Sequence, residues 1–319
     1  MLPLVLALTA PGLPAQSTSL LELERSCSRA ADDNTPDNLA ALNASIEKEA
    51  GARLAFLRGC RFMAEKKFGP AGGEFEKAVR AEPNEAVYHF WFGRATGEQA
   101  SRANPIRQPG LARRTKGEFE RAIALDSSYV AAREGLLRYY LAAPGFLGGS
   151  IDQARVQAGH IARLAPYRGG LAHANVALAA KDTAGVIQAH EGLVAQFPDS
   201  LTPYLALVNV QLARKQFALA WAAVERLERV KPDLPFLPYV IGRAAAESGE
   251  QLDRGEAALR RYLQHTPKPN EPSPASTHWR LGMIAEKRGD TAAAKQQYQA
   301  AAALDPKLRP VKEALARLK

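Results

Sequence analysis

Seven residues punctuate this chain at a nearly constant step. They are Pro83, Ser127, Pro166, Pro198, Pro232, Pro267 and Pro306, separated by 44, 39, 32, 34, 35 and 39 residues. Proline removes a backbone donor and clashes with the preceding turn, so each proline marks a place where a helix has to stop. Stops at such a period mean repeated supersecondary units, each too small to bury its apolar face alone and stable only against its neighbours. A length of 319 residues would otherwise suggest two globular domains, but a repeat array is one quasi-linear body. The apolar fraction of 46% suffices for a core, and alanine and leucine dominate over β-branched and aromatic residues, which favours helices.

The best copy of the unit is Ala275–Leu308. Leu281-Gly282, Ala294, Tyr298 and Pro306 fall there at the spacing L-G…A-x3-aromatic…P. In this pattern the segment resembles the tetratricopeptide repeat, a pair of antiparallel helices joined by a tight turn. Lys287-Arg288-Gly289-Asp290 supplies that turn, with glycine where the first helix (A) stops and aspartate where the second (B) is capped. Gly59, Ala71, Phe75, Ala78 and Pro83 repeat the register of Gly282, Ala294, Tyr298, Ala301 and Pro306. The resemblance covers residues 52–308 and implies an all-α, right-handed α-solenoid of about seven helix-turn-helix repeats. These run approximately over 52–85, 86–129, 130–168, 167–200, 201–234, 235–269 and 275–308. The fourth is the weakest, with Ala174, Val186 and His190 at the signature positions. Residues 17–51 are expected to form capping helices, and 309–319 a terminal cap helix with Val311, Leu315 and Leu318 apolar.

Residues 1–16 are apolar and uncharged, too short to span a bilayer, and end in Leu13-Pro14-Ala15 as a secretory leader would. The expectation is an exported, periplasmic protein without a transmembrane segment; the alternative is a cytoplasmic one. Cys27 does not follow a lipid-attachment pattern, since Glu24, Arg25 and Ser26 precede it. The two cysteines, Cys27 and Cys60, suit one disulfide in an oxidising compartment or two unpaired helix thiols, and the sequence leaves both open.

Neither a catalytic signature nor a metal-ligand spacing is present. No two of the six histidines form H-E-x-x-H, and nucleophile-elbow and phosphate-loop patterns are absent. Catalytic residues, metal sites and cofactors are therefore not expected. The net charge of +9 admits an acidic partner, a membrane surface or simple solubility, and the basic residues lack the aromatic interleaving of a nucleic-acid binder.

Binding is the more informative direction. In the family resembled, the A helices line a concave groove, and its ninth repeat position here reads Cys60, Arg94, Arg138, Asn175, Asn209, Arg243 and Met283. Five consecutive repeats thus place arginine or asparagine in one row. Amides at this position hold an extended peptide backbone, and guanidinium forks grip carboxylates. Phe56, Phe90, Leu171, Leu205, Tyr239 and Trp279 at the fifth position offer apolar pockets beside the row, although Glu134 interrupts it and the lysines of the family's carboxylate clamp are absent. A second candidate surface is an enlarged pair of loops. One, over 102–117, carries Arg107, Arg113 and Arg114; the other, over 144–149, presents Phe146 and Leu147. The resulting expectation is a non-catalytic scaffold for an acidic-tending protein or peptide in the cell envelope. The alternative is an assembly co-factor or substrate-presenting subunit of an envelope enzyme or secretion machine.

Overall fold

The computed structural model describes residues 19–318, and the leader expected at 1–16 lies outside them. Every regular element among the described residues is helical. Helices α1 (Leu20–Asp32) and α2 (Pro36–Ile46) come first, followed by seven hairpins. These are α3 (Gly51–Ala64) with α4 (Phe68–Ala81), α5 (Ala86–Arg102) with α6 (Gln108–Leu125), and α7 (Val130–Ala142) with α8 (Ile151–Leu164). Then come α9 (Pro166–Ala179) with α10 (Thr183–Gln196) and α11 (Leu201–Ala213) with α12 (Phe217–Val230). The last two pairs are α13 (Leu237–Ser248) with α14 (Leu252–Tyr262) and α15 (Pro274–Lys287) with α16 (Thr291–Leu304), and α17 (Arg309–Arg317) closes the chain. The helices form two compact units, one ending at Leu164 and the other beginning at Ala165.

One contact recurs inside the hairpins and explains the sequence pattern. A large side chain of helix B lies directly on a glycine of helix A. A Cβ on Gly59 would stand 2.5 Å from the Phe75 ring, on Gly242 2.2 Å from Leu259, and on Gly282 2.4 Å from Tyr298. Phe119 fills two such notches, 2.9 Å from a Cβ on Gly93 in its own hairpin and 2.7 Å from one on Gly135 in the next. In the fourth hairpin the weak signature positions yield to a shifted pair, and Leu193 sits over Gly170 at 2.4 Å. Phe75 and Tyr298 are essentially fully buried, and burial of a side chain of that size contributes roughly 2–3 kcal/mol.

The turns follow the same economy. Gly289 adopts φ 78° and Asp290 then accepts from the Ala293 amide at 2.9 Å, which caps α16. In three other turns a lysine holds the left-handed conformation instead: Lys66, Lys181 and Lys215, at φ 58°, 58° and 57°.

One expectation needs correction. The ten extra residues of the second repeat are not a loop, because they lengthen both helices to 17 residues in α5 and 18 in α6. Only 103–107 remain between them, since Pro109 stands in the first turn of α6, where a missing amide donor costs nothing. The extension is packed: Thr115 Oγ1 donates to Thr96 Oγ1 at 3.1 Å, and both residues are buried. The proline-rich segment that joins α14 to α15 is anchored, with the Tyr262 hydroxyl donating to the Pro272 carbonyl at 2.8 Å.

Candidate functional site

The C-terminal unit carries the most organised polar cluster. Asn209 on α11 and Arg243 on α13 lie on adjacent A helices at the same repeat position, and Arg243 Nη1 donates to Asn209 Oδ1 at 2.6 Å. One turn further along α13, Glu247 Oε1 accepts from Arg243 Nε at 2.9 Å. The same oxygen stands 3.0 Å from Arg280 Nη2 on α15. Two guanidinium groups therefore share one carboxylate, leaving a net positive charge. Arg280 is 7% exposed, its plane lies 3.8 Å over Trp279, and its Nε has no hydrogen-bond partner. Arg243 Nη2 is not used by any hydrogen bond among the described residues. Tyr239 and Met283 border the cluster, each partly buried against the core of this unit. Asn175 on α9 is exposed.

In the N-terminal unit two of the three corresponding positions, Cys60 and Arg94, are already engaged. Cys60 on α3 is bonded to Cys27 on α1, with Cα atoms 5.1 Å apart. Arg94 on α5 pairs with Asp32 at the end of α1, Nη2 to Oδ1 2.6 Å, and stacks over Trp91 at 4.7 Å. The Tyr129 hydroxyl donates to Glu24 of α1. Burial raises the Glu24 pKa above the ordinary carboxylate value, a rise that the Tyr129 hydrogen bond partly offsets. Arg138 on α7 is exposed and makes no hydrogen bond among the described residues.

The sequence matches no protein-family model and no curated protein. Solved structures are similar in fold. A tetratricopeptide repeat protein from Parabacteroides merdae ATCC 43184 superposes with a TM-score of 0.52 at 13% identity, covering 84% of this chain and 98% of that one. PilF of Pseudomonas aeruginosa gives 0.47 at 13% identity, with coverages of 87% and 98%. The C-terminal part of a repeat protein from Cytophaga hutchinsonii gives 0.47 at 12% identity, with coverages of 92% and 99%. The chain has the tetratricopeptide-repeat fold. With glycine notches, proline-marked stops and paired helices, it is an all-α solenoid of that type.

Against the tetratricopeptide-repeat frame, the predicted residues divide. Asn209, Arg243, Tyr239 and Trp279 fall together in the C-terminal unit, and Asn175 belongs to the same unit on α9. Phe90 is not a groove pocket: it is 5% exposed, with its ring centroid 5.2 Å from that of Tyr129 and 6.0 Å from that of Phe119. Phe56 is buried completely, so in these two repeats the aromatic holds neighbouring units together instead of facing a ligand.

The proposed loop edge also divides. Arg107 lies between α5 and α6, whereas Arg113 and Arg114 belong to α6. Arg114 pairs with Glu76 at 2.7 Å and stacks over Phe92 at 4.5 Å, which makes it part of the fold's own packing. Phe146 is 84% exposed on the 3-10 turn Gly145–Leu147, while the Leu147 carbonyl is held by the Tyr139 hydroxyl. Sequence reasoning missed Glu247 and Arg280. The signal available was an acid four residues after Arg243 and a second arginine beside Trp279. Among the described residues no group of three or more His, Cys, Asp or Glu could hold a metal, and no helix is long and apolar enough to cross a membrane.

Proposed function

We propose that this chain is a non-catalytic interaction scaffold, and that its C-terminal unit holds an extended, acidic peptide segment or chain terminus of a protein partner. The carrying observation is the shared carboxylate: Glu247 between Arg243 and Arg280 neutralises only one of the two guanidinium groups. A guanidinium bonded to Asn209 on one side and Glu247 on the other is held in place before a ligand arrives, so little side-chain entropy is lost on binding. An incoming carboxylate takes the unused Nη2 edge of Arg243, the Asn175 and Asn209 amides hold peptide backbone, and Tyr239, Trp279 and Met283 supply apolar contact beside them. The cell envelope is the compartment we favour, because a fully buried disulfide forms where the surroundings are oxidising.

The test is calorimetric titration of the full chain with three extended peptides of equal length, one acidic, one neutral and one basic. The proposal expects the acidic peptide to bind, with affinity falling as salt rises. Equal binding of all three, or preference for the basic one, would reject it.

A further inference from the structure

In a repeat array each unit touches only its neighbours, so a helix that precedes the first repeat has no reason to reach the far end of the second. Helix α1 does reach it. Cys27 is bonded to Cys60 on α3, Asp32 is paired with Arg94 on α5, and Glu24 accepts from Tyr129, the residue that precedes α7. The first repeat therefore contributes one contact and the second two, and Cys60 and Arg94 occupy the groove-facing position of their A helices. Helix α1 buries Leu23, Ser26, Cys27 and Ala30, an i, i+3, i+4, i+7 stripe, and begins with a capping box between Ser19 and Glu22. It has the form of an amphipathic helix whose Glu24 and Asp32 are met by Tyr129 and Arg94.

We propose that the groove of the N-terminal unit is a helix-binding site that the chain fills with its own α1, and that the Cys27–Cys60 bond makes this occupancy permanent. A partner's amphipathic helix, apolar on one stripe and acidic where Glu24 and Asp32 stand, enters only before the bond forms. Closure is an oxidation: the two thiols give up two electrons and two protons to an external disulfide, which leaves as two thiols. Both sulfurs are fully buried, so the reverse exchange requires α1 to lift first. This inference stands independently of the peptide site in the C-terminal unit.

The probe is a fluorescein-labelled peptide of residues 19–33 carrying serine in place of Cys27, read by anisotropy against full-length chains. Oxidised wild-type chain is expected not to bind it. A chain carrying Glu24→Arg, Cys27→Ser and Asp32→Arg, whose own helix is no longer held, is expected to bind at least about tenfold more tightly, and adding Arg94→Glu to reverse most of that gain. Binding to the oxidised wild type, or no binding by a folded triple variant, would overturn the proposal. Hydrogen exchange on Cys27→Ser/Cys60→Ser supplies the second measurement. Exchange that quickens more in α1 than the general rise from the lost cross-link supports an internal ligand; an equal rise in α1 and throughout α3–α8 would show that α1 is core and overturn it.

Discussion

Arg94 Nη2 lies 2.6 Å from Asp32 Oδ1 although 62 residues separate the two. The pair is largely exposed on the Asp32 side, at 62%, so it orients α1 more than it stabilises it; ion pairs of this kind are worth roughly 0–1 kcal/mol. The bond between Cys27 and Cys60 carries more. It closes a loop of 33 residues, which in the chain-entropy account constrains the unfolded state by about 3–4 kcal/mol. Urea unfolding of Cys27→Ser/Cys60→Ser should show a loss of that order, and a loss below about 1 kcal/mol would mean that α1 is held by its other contacts.

The glycine notch sets a steric limit at Gly282. Alanine there would put its Cβ 2.4 Å from the Tyr298 ring, which is 1% exposed and tied through its hydroxyl to Glu286. Gly282→Ala should cost about 1–3 kcal/mol by thermal or denaturant unfolding. In a double-mutant cycle with Tyr298→Ala the two losses should be less than additive, because the second change removes the clash. Full additivity would show that the two residues do not meet.

Lys215 holds φ 57° where Gly289 stands at 78° in the last hairpin. A side chain in this region costs on the order of 1 kcal/mol, so Lys215→Gly should raise the unfolding free energy, with the entropy of a freer unfolded chain trimming the gain. A clear loss of stability would place the lysine side chain in a contact that outweighs its backbone strain.

His89 gives the protein a pH signature. Its Nδ1 stands 2.6 Å from Glu118 Oε2 and its Nε2 3.0 Å from the Pro83 carbonyl, so the protonated ring can donate to both. Burial alone would lower its pKa, but the Glu118 and Pro83 hydrogen bonds outweigh burial and raise it above the ordinary value. A raised folded-state pKa favours folding in full below about 6.5, and that contribution fades as pH rises through the folded value. Stability measured from pH 6 upward should therefore decline less steeply in His89→Gln than in the wild type, and equal slopes would exclude His89 as the source.

The fold was legible because its determinants are local. The Gly282–Tyr298 and Gly59–Phe75 notches, and the prolines that stop each unit, sit within single hairpins and recur at fixed spacing. Residues 102–117 were misread for the complementary reason: Pro105, Pro109 and Gly110 resemble loop signals, while the buried Thr96–Thr115 contact that carries the helices onward is tertiary. The engagement of Arg94 by Asp32 was equally hidden, since nothing near Arg94 in sequence announces a partner 62 residues away. For the candidate site, the Asn209–Arg243 row was readable from repeat position alone. Glu247 and Arg280 required the approach of α13 and α15.

The direct test of the account is the affinity of an acidic extended peptide for full-length wild type, Arg243→Glu and Arg138→Glu, measured by titration at one salt concentration. Arg243 makes the charge-assisted contact proposed, so its reversal should weaken binding by roughly 1–3 kcal/mol, about fivefold to 150-fold, without lowering thermal stability by a matching amount. Arg138, in the other unit, should leave affinity within about twofold of the wild type. Unchanged binding by Arg243→Glu would contradict the account, as would an equal loss from both variants.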